Sequence, residues 1–188
     1  MKQIHLADIA VGLTGLVAAA ASIWTVPGAG GFLGAGLALL MLAIAIVDFR
    51  HMIIPNELSA AALALAIVNA VVAESPPIVE SLAAAVLRGS VTMLLFLALR
   101  LAYGWLRQRE GIGLGDVKLA FVAGAWLEWI MIPVAIEIAA LAALMAYGAW
   151  PIVAKQPFNA EARLPFGLFL APAIWLSWLL AAVMFGPA

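Results

Sequence analysis

Long apolar runs fill most of this chain, and short polar or Pro/Gly-bearing breaks separate them at intervals close to the length of a bilayer helix. The runs cover roughly 7–26, 31–48, 57–73, 83–104, 116–130, 131–153 and 165–186. They predict an all-α, polytopic membrane helix bundle of about seven transmembrane helices in a single domain, 1–188. The fifth run is short and joins the sixth with almost no loop, so six spans with one re-entrant piece is the alternative. The first run, preceded by Met1-Lys-Gln-Ile-His5, has the outline of a signal peptide, with Ala19-Ala-Ala-Ser22 as a small-residue cleavage site. Asp8 inside that run, and further spans directly after it, favour its retention as the first span.

Composition agrees with lipid as the solvent. Hydrophobic residues make up 67% of the 188 positions and charged residues 10%, and mean hydropathy is +1.17. A soluble domain would be near half apolar and a quarter charged, too polar a balance for this chain. The seven Trp suit headgroup levels. A net charge of −1 offers no basic field for nucleic acid. With no Cys and only His5 and His51, disulfides, thiolate catalysis and cysteine-ligated zinc are excluded, and no metal or other cofactor is expected.

Orientation follows from Lys and Arg. Arg50, then Arg107 and Arg109, then Lys155 and Arg163 mark three loops. With the N-terminus inside, these loops and Lys2 share the cytoplasmic side, and the segment Glu74–Glu80 faces out. Arg88 alone is out of place. Asp48 then ends the second span and Asp116 begins the fifth, both at the cytoplasmic edge of the bilayer.

A carboxylate in or at the end of a membrane helix is costly, so its default reading is functional. The bland reading is an acid reaching headgroup water. The surroundings weigh against it. After Asp48 the chain runs Phe-Arg-His-Met-Ile-Ile-Pro55-Asn56, a sharp turn in which Pro55 stops one helix and Asn56 caps the next. Before Asp116 stand Gly111, Gly113 and Gly115, which would cost a helix about 1 kcal/mol each and suit a low-bulk loop against which an extended peptide can pair. The spacing is not a phosphate-binding fingerprint.

Gly113-Leu-Gly115-Asp116 resembles the GxGD signature shared by the type IV prepilin peptidases, archaeal preflagellin peptidases and presenilins. The longer string from Glu110 to Leu119, with Ala123-Gly-Ala-Trp-Leu127, resembles the bacterial prepilin peptidases in particular. The Asp48 segment through Ile54-Pro55-Asn56 resembles that family's first motif, and Pro165-Phe166-Gly167 its C-terminal Pro-Phe-Gly motif, although Leu168 stands where a Pro is usual. The resemblance covers roughly residues 30–180.

It implies that Asp48 and Asp116 form a catalytic aspartic pair that cuts the leader from prepilin or pseudopilin-like substrates at the cytoplasmic face of the bacterial inner membrane. Two nearby carboxylates do not both ionise easily, so one holds a proton while the other activates water. Gly113, Gly115, Lys118, Pro55, Asn56, Pro165, Phe166 and Gly167 are the candidate supporting or substrate-binding residues. Lys118 has a snorkelling reading as well, and Pro165-Phe166-Gly167 that of a helix-entry turn. The bifunctional members carry an N-terminal cysteine zinc domain and methylate their product; the absence of cysteine predicts a peptidase-only form.

Other acids receive bland readings: Asp8 and Glu128 solvated near helix ends, Glu137 protonated or paired inside the sixth span. A transporter or channel is the alternative function, and it predicts midplane acids and repeated halves. The sequence shows no repeat, and Asp48 and Asp116 sit at one face. A signal-peptide-peptidase-like enzyme would carry a Pro-Ala-Leu string, which is lacking.

Overall fold

The structure, a computed structural model, describes residues 6–72, 77–107, 111–154 and 165–186. The secondary structure among them is helical: α1 Leu6–Thr25, α2 Ala29–His51, α3 Asn56–Val72, α4 Ile78–Arg107, α5 Leu114–Trp126, α6 Met131–Ala154 and α7 Gly167–Phe185. Each helix falls on one of the predicted apolar runs. In lipid a segment has no water to satisfy its backbone, so an apolar run closes its hydrogen bonds within itself. The orientation signals Lys2, Arg109, Lys155 and Arg163 lie outside the described residues, as do Glu110, Leu164 and positions 74–76 of the 74–80 segment.

Five helices (α1, α2, α4, α6 and α7) are long and apolar enough to cross a membrane. α3, with 17 residues, reaches about 26 Å, and α5, with 13, about 20 Å, against a hydrocarbon thickness of about 30 Å. The short fifth run is therefore a helix that does not bridge the bilayer by itself.

The bundle closes through small residues and indoles. α1 packs on α2, with Ser22 buried and its hydroxyl accepting the Trp175 indole N–H of α7 at 2.9 Å. Gly34 of α2 receives the Trp178 ring of α7, which any side chain at that position would displace. Trp126, at the end of α5, is buried and donates to the Ala62 carbonyl of α3 at 3.0 Å. Trp24 and Trp105 are exposed near helix ends, where a headgroup level suits them, whereas Trp126 serves the interior instead.

α4 and α5 run antiparallel and make the most extensive helix contact of the fold. Gly89 and Gly124 meet where they cross. A Cβ on Gly124 would come within 2.6 Å of the Arg88 carbonyl carbon and 2.7 Å of the Gly89 nitrogen, and one on Gly89 within 2.9 Å of the Phe121 carbonyl oxygen. Backbone touches backbone here, the way membrane helices use small residues to approach. Arg88 corrects the sequence reading. It is buried, donates from Nε to the Gly124 carbonyl at 3.2 Å and pairs through Nη1 with Glu128 at 3.1 Å. It thereby caps the C-terminal end of α5, where cations are favoured. Glu128 is exposed but partnered. Asp8 is exposed and lies 3.8 Å from Arg50, a surface pair that brings the start of α1 beside the end of α2.

Gly124→Ala should destabilise the protein by about 1–3 kcal/mol, since the clash is with backbone and no side chain can swing aside. Gly12→Ala, with nothing within 4 Å of its added carbon, should leave stability unchanged. Thermal unfolding of both variants in detergent micelles checks this. Equal melting temperatures for Gly124→Ala and the parent would contradict the close crossing.

Candidate active site

Asp48 lies in the last turn of α2, and its side chain turns inward, leaving the residue 5% exposed. The helix stops three residues later because Met52 adopts a left-handed conformation, φ 56°, and donates its N–H to the Asp48 carbonyl at 2.9 Å. That conformation costs a residue with a Cβ about 1–2 kcal/mol, so the packing that follows must hold it. Ile54, buried two residues on, supplies that packing. A Cβ on Gly115 would meet the Ile54 Cβ at 3.0 Å, and one on Gly167 would meet its Cδ1 at 2.7 Å. Ile54 is thus wedged between the start of α5 and the start of α7, where glycine leaves it room on both sides.

Asp116 comes to the same place from α5. It occupies the third position of that helix, 8% exposed, and its Oδ2 accepts the N–H of Gly113, the N-cap, at 3.1 Å. This is the carboxylate half of a capping box. Its other half is missing because Gly113 has no side chain.

α7 joins the two acids. The Leu168 N–H donates to Asp48 Oδ2 at 2.9 Å, and the Gly167 N–H faces both carboxylates. The two acids are close enough to interact electrostatically. These N–H groups belong to the first turn of α7, where a helix has donors without intrahelical acceptors and the positive end of its dipole. Gly167 leaves no spare room. A Cβ there would stand 2.7 Å from Asp48 Oδ2. Phe166 holds the α7 entry from the other side, its ring 6.4 Å from that of Phe96 on α4.

The remaining candidates divide. Asn56 was expected to cap α3, yet α3 begins at Asn56 itself and the Pro55 carbonyl takes the first bond, from Ser59 N at 3.2 Å. The Asn56 amide oxygen instead accepts Lys118 Nζ at 2.7 Å. Two residues beyond Asp116, Lys118 points away from it on the exposed side of α5 and ties α5 to α3. The two line an apolar groove with Ser59, Leu63, Met93 and Phe121. Pro165 lies just before the α7 entry turn. His51 and Glu137 are exposed, and Glu137 faces no partner among the described residues. Among those residues no group of three metal-ligating side chains gathers.

Sequence reasoning passed over Arg100. From α4 its Nη1 donates to the Ile112 carbonyl in the glycine loop, and the neighbouring Tyr103 ring lies against Gly111. An Arg seven residues inside the end of a membrane helix was the available signal.

The sequence model of the type IV leader peptidase family matches residues 35–148. Among curated relatives, a prepilin leader peptidase/N-methyltransferase of Aeromonas hydrophila is 28% identical over 89% of this chain and 56% of its own length. One from Burkholderia pseudomallei strain 1026b is 42% identical over 48% of this chain and 29% of its own length. The leader peptidase HopD of Escherichia coli is 40% identical over 38% of the chain and 45% of its own. The chain spans about half the length of the curated relatives it matches most fully. No solved structure matches it.

Gly167→Ala should cost about 1–3 kcal/mol by overpacking against Asp48 and Ile54. In a double-mutant cycle with Asp48→Ala, which removes the carboxylate that the new methyl meets, the two losses should fall short of additive by at least about 0.5 kcal/mol. Strict additivity in thermal or denaturant unfolding would mean that Gly167 does not abut Asp48.

Proposed function

This chain belongs to the type IV leader peptidase family, and on that premise we propose that it is an intramembrane aspartic endopeptidase using Asp48 and Asp116. Its substrates are the leader-bearing prepilins or pseudopilin-like proteins, which it cuts at the cytoplasmic face of the inner membrane. The observation that carries the reading is the meeting of two buried carboxylates from separate helices at the first turn of a third, beside a glycine-rich loop.

The chemistry needs one acid ionised and the other protonated. The ionised acid takes a proton from a water held between them, and the resulting hydroxyl attacks the scissile carbonyl. The protonated acid hydrogen-bonds that carbonyl oxygen and gives it the proton as it becomes tetrahedral. The proton taken from water then passes to the amide nitrogen, and as the C–N bond breaks one hydroxyl of the tetrahedral intermediate returns its proton to the second acid while the C=O re-forms, so the departing carboxylic acid and amine leave the dyad with one proton again. Because the pair titrates as a unit, neither residue is assigned the proton in advance. Backbone donors keep the acids in place throughout: Leu168 and Gly167 on Asp48, Gly113 on Asp116. Backbone N–H groups cannot lose or gain charge, so they orient both acids without neutralising either. The loop Gly111–Gly113 presents little bulk, and an extended substrate segment lies against it.

Asp48→Asn and Asp116→Asn should each lower cleavage of a prepilin-like substrate by about 1000-fold or more, with melting in detergent retained. A loss of less than about tenfold, ~1.4 kcal/mol, in either folded variant would refute the pairing.

The pH dependence should be bell-shaped. Below the range of the pair both acids are protonated and no base remains, whereas above it both are ionised and no acid remains. A rate that climbs to a plateau with pH, measured on the purified enzyme, would speak against a shared-proton dyad.

A further inference from the structure

The glycine loop before Asp116 is held by a residue the reaction does not require. Arg100 of α4 donates to the Ile112 carbonyl, and the N–H of the next residue, Gly113, donates to Asp116 Oδ2 at 3.1 Å. These are the two polar groups of one peptide unit. In a trans peptide the C=O and N–H point in opposite directions, so fixing one aims the other. A guanidinium on the carbonyl oxygen also polarises the unit and strengthens its N–H as a donor. The line of groups runs from guanidinium through one peptide to carboxylate.

Arg88 grips the other end of the same helix. Arg88 and Arg100 stand twelve residues apart on α4, and the carbonyls they hold, Gly124 and Ile112, stand twelve apart on the antiparallel partner. α4 thus carries one guanidinium for each end of α5. The two differ in what they reach. Arg88 ends on Glu128 and a helix terminus, far from the acids, whereas Arg100 ends one peptide away from Asp116.

We propose that Arg100 is a positioning residue for the reaction: by holding the Ile112–Gly113 peptide plane it aims the Gly113 N–H at Asp116 and relays a positive charge to that carboxylate. The inference rests on Asp116 being one of the two working acids. Removing the guanidinium frees the peptide to rotate, and Asp116 loses its aimed donor while its helix remains in place.

The test uses the full chain in detergent micelles with Arg100→Gln, Arg100→Lys and Arg88→Met. Arg100→Gln should lower kcat between about 10- and 100-fold, the range of one hydrogen bond to a charged group, with KM nearly unchanged. Arg100→Lys, which keeps a cationic donor, should recover part of that loss. By NMR the Gly113 amide proton should move upfield in Arg100→Gln, and return toward its original position in Arg100→Lys. Arg88→Met should lower the melting temperature and leave the Gly113 amide resonance where it was. A folded Arg100→Gln whose Gly113 amide does not move, or whose loss lies wholly in KM, overturns the proposal. The amide reading needs no catalysis. If Asp116→Asn proved active, the dyad would fall, while the peptide relay would still stand or fall by the Gly113 resonance.

Discussion

The α4–α5 crossing is the constraint on which the rest depends. α5 is too short to bridge a bilayer, so its two ends cannot both count on headgroup water for their unpaired backbone groups. α4 meets both needs. Arg88 takes the Gly124 carbonyl at one end, and Arg100 fixes the loop that leads into the other. Both guanidiniums reach their targets only because Gly89 and Gly124 let the two backbones touch. A methyl group at either glycine would push the helices apart and lengthen every one of these bonds. The exposed Glu128 on Arg88 completes the scheme by neutralising a cation placed ten residues inside a membrane helix, where an unpaired charge is expensive.

The acids follow from that frame. Asp48 sits at the C-terminal end of its own helix, where the local dipole disfavours an anion, and the N-terminal turn of α7 offsets this with two N–H groups. Asp116 sits at the N-terminal end of α5, where an anion is favoured from the outset. The two carboxylates thus meet at two helix N-termini and one C-terminus. Ile54 sets how closely these ends approach, since it fills the space between Gly115 and Gly167. The strained Met52 conformation that delivers Ile54 is held by the same packing. Backbone geometry around this dyad is therefore fixed by an apolar side chain, which adds no charge to compete with the acids.

Much of this was legible in the sequence, and the reason is local. Helix positions follow from the lengths of apolar runs, because lipid forces each run to satisfy itself. The Gly111–Asp116 and Asp48–Asn56 segments announced themselves through residues that are costly in helices or in lipid. Pro165-Phe166-Gly167 was recognisable as a motif, but its work was not: only the folded chain brings Gly167 against Asp48 and Phe166 against Phe96. Arg88 looked misplaced because its partners, Gly124 and Glu128, lie 36 and 40 residues away. Asn56 read as a cap by residue type, yet a lysine on another helix claims its oxygen. Each of these depends on antiparallel register, which no local pattern encodes.

Depth in the bilayer is the last link from fold to chemistry, since the proposed hydrolysis needs water and a bundle this apolar calls for lipid around most of it. Three helices measure it independently. From the α2 start to Asp48 is about 29 Å, from Gly167 to the α7 end about 27 Å, and from the α4 start to Phe96, beside Phe166, about 27 Å, all at 1.5 Å per residue. Each is close to one hydrocarbon thickness of about 30 Å. When the far ends of α2, α4 and α7 lie at one surface, the two acids therefore lie at the other, where water is within reach while their immediate walls stay apolar. α4 continues past them by eleven residues, and that extension carries Arg100, Tyr103, Trp105 and Arg107, the residue types that favour the headgroup level. The segment that holds the glycine loop thus carries the side chains suited to an interface. α5 can remain short because it has only to carry Asp116 from that interface into the bundle.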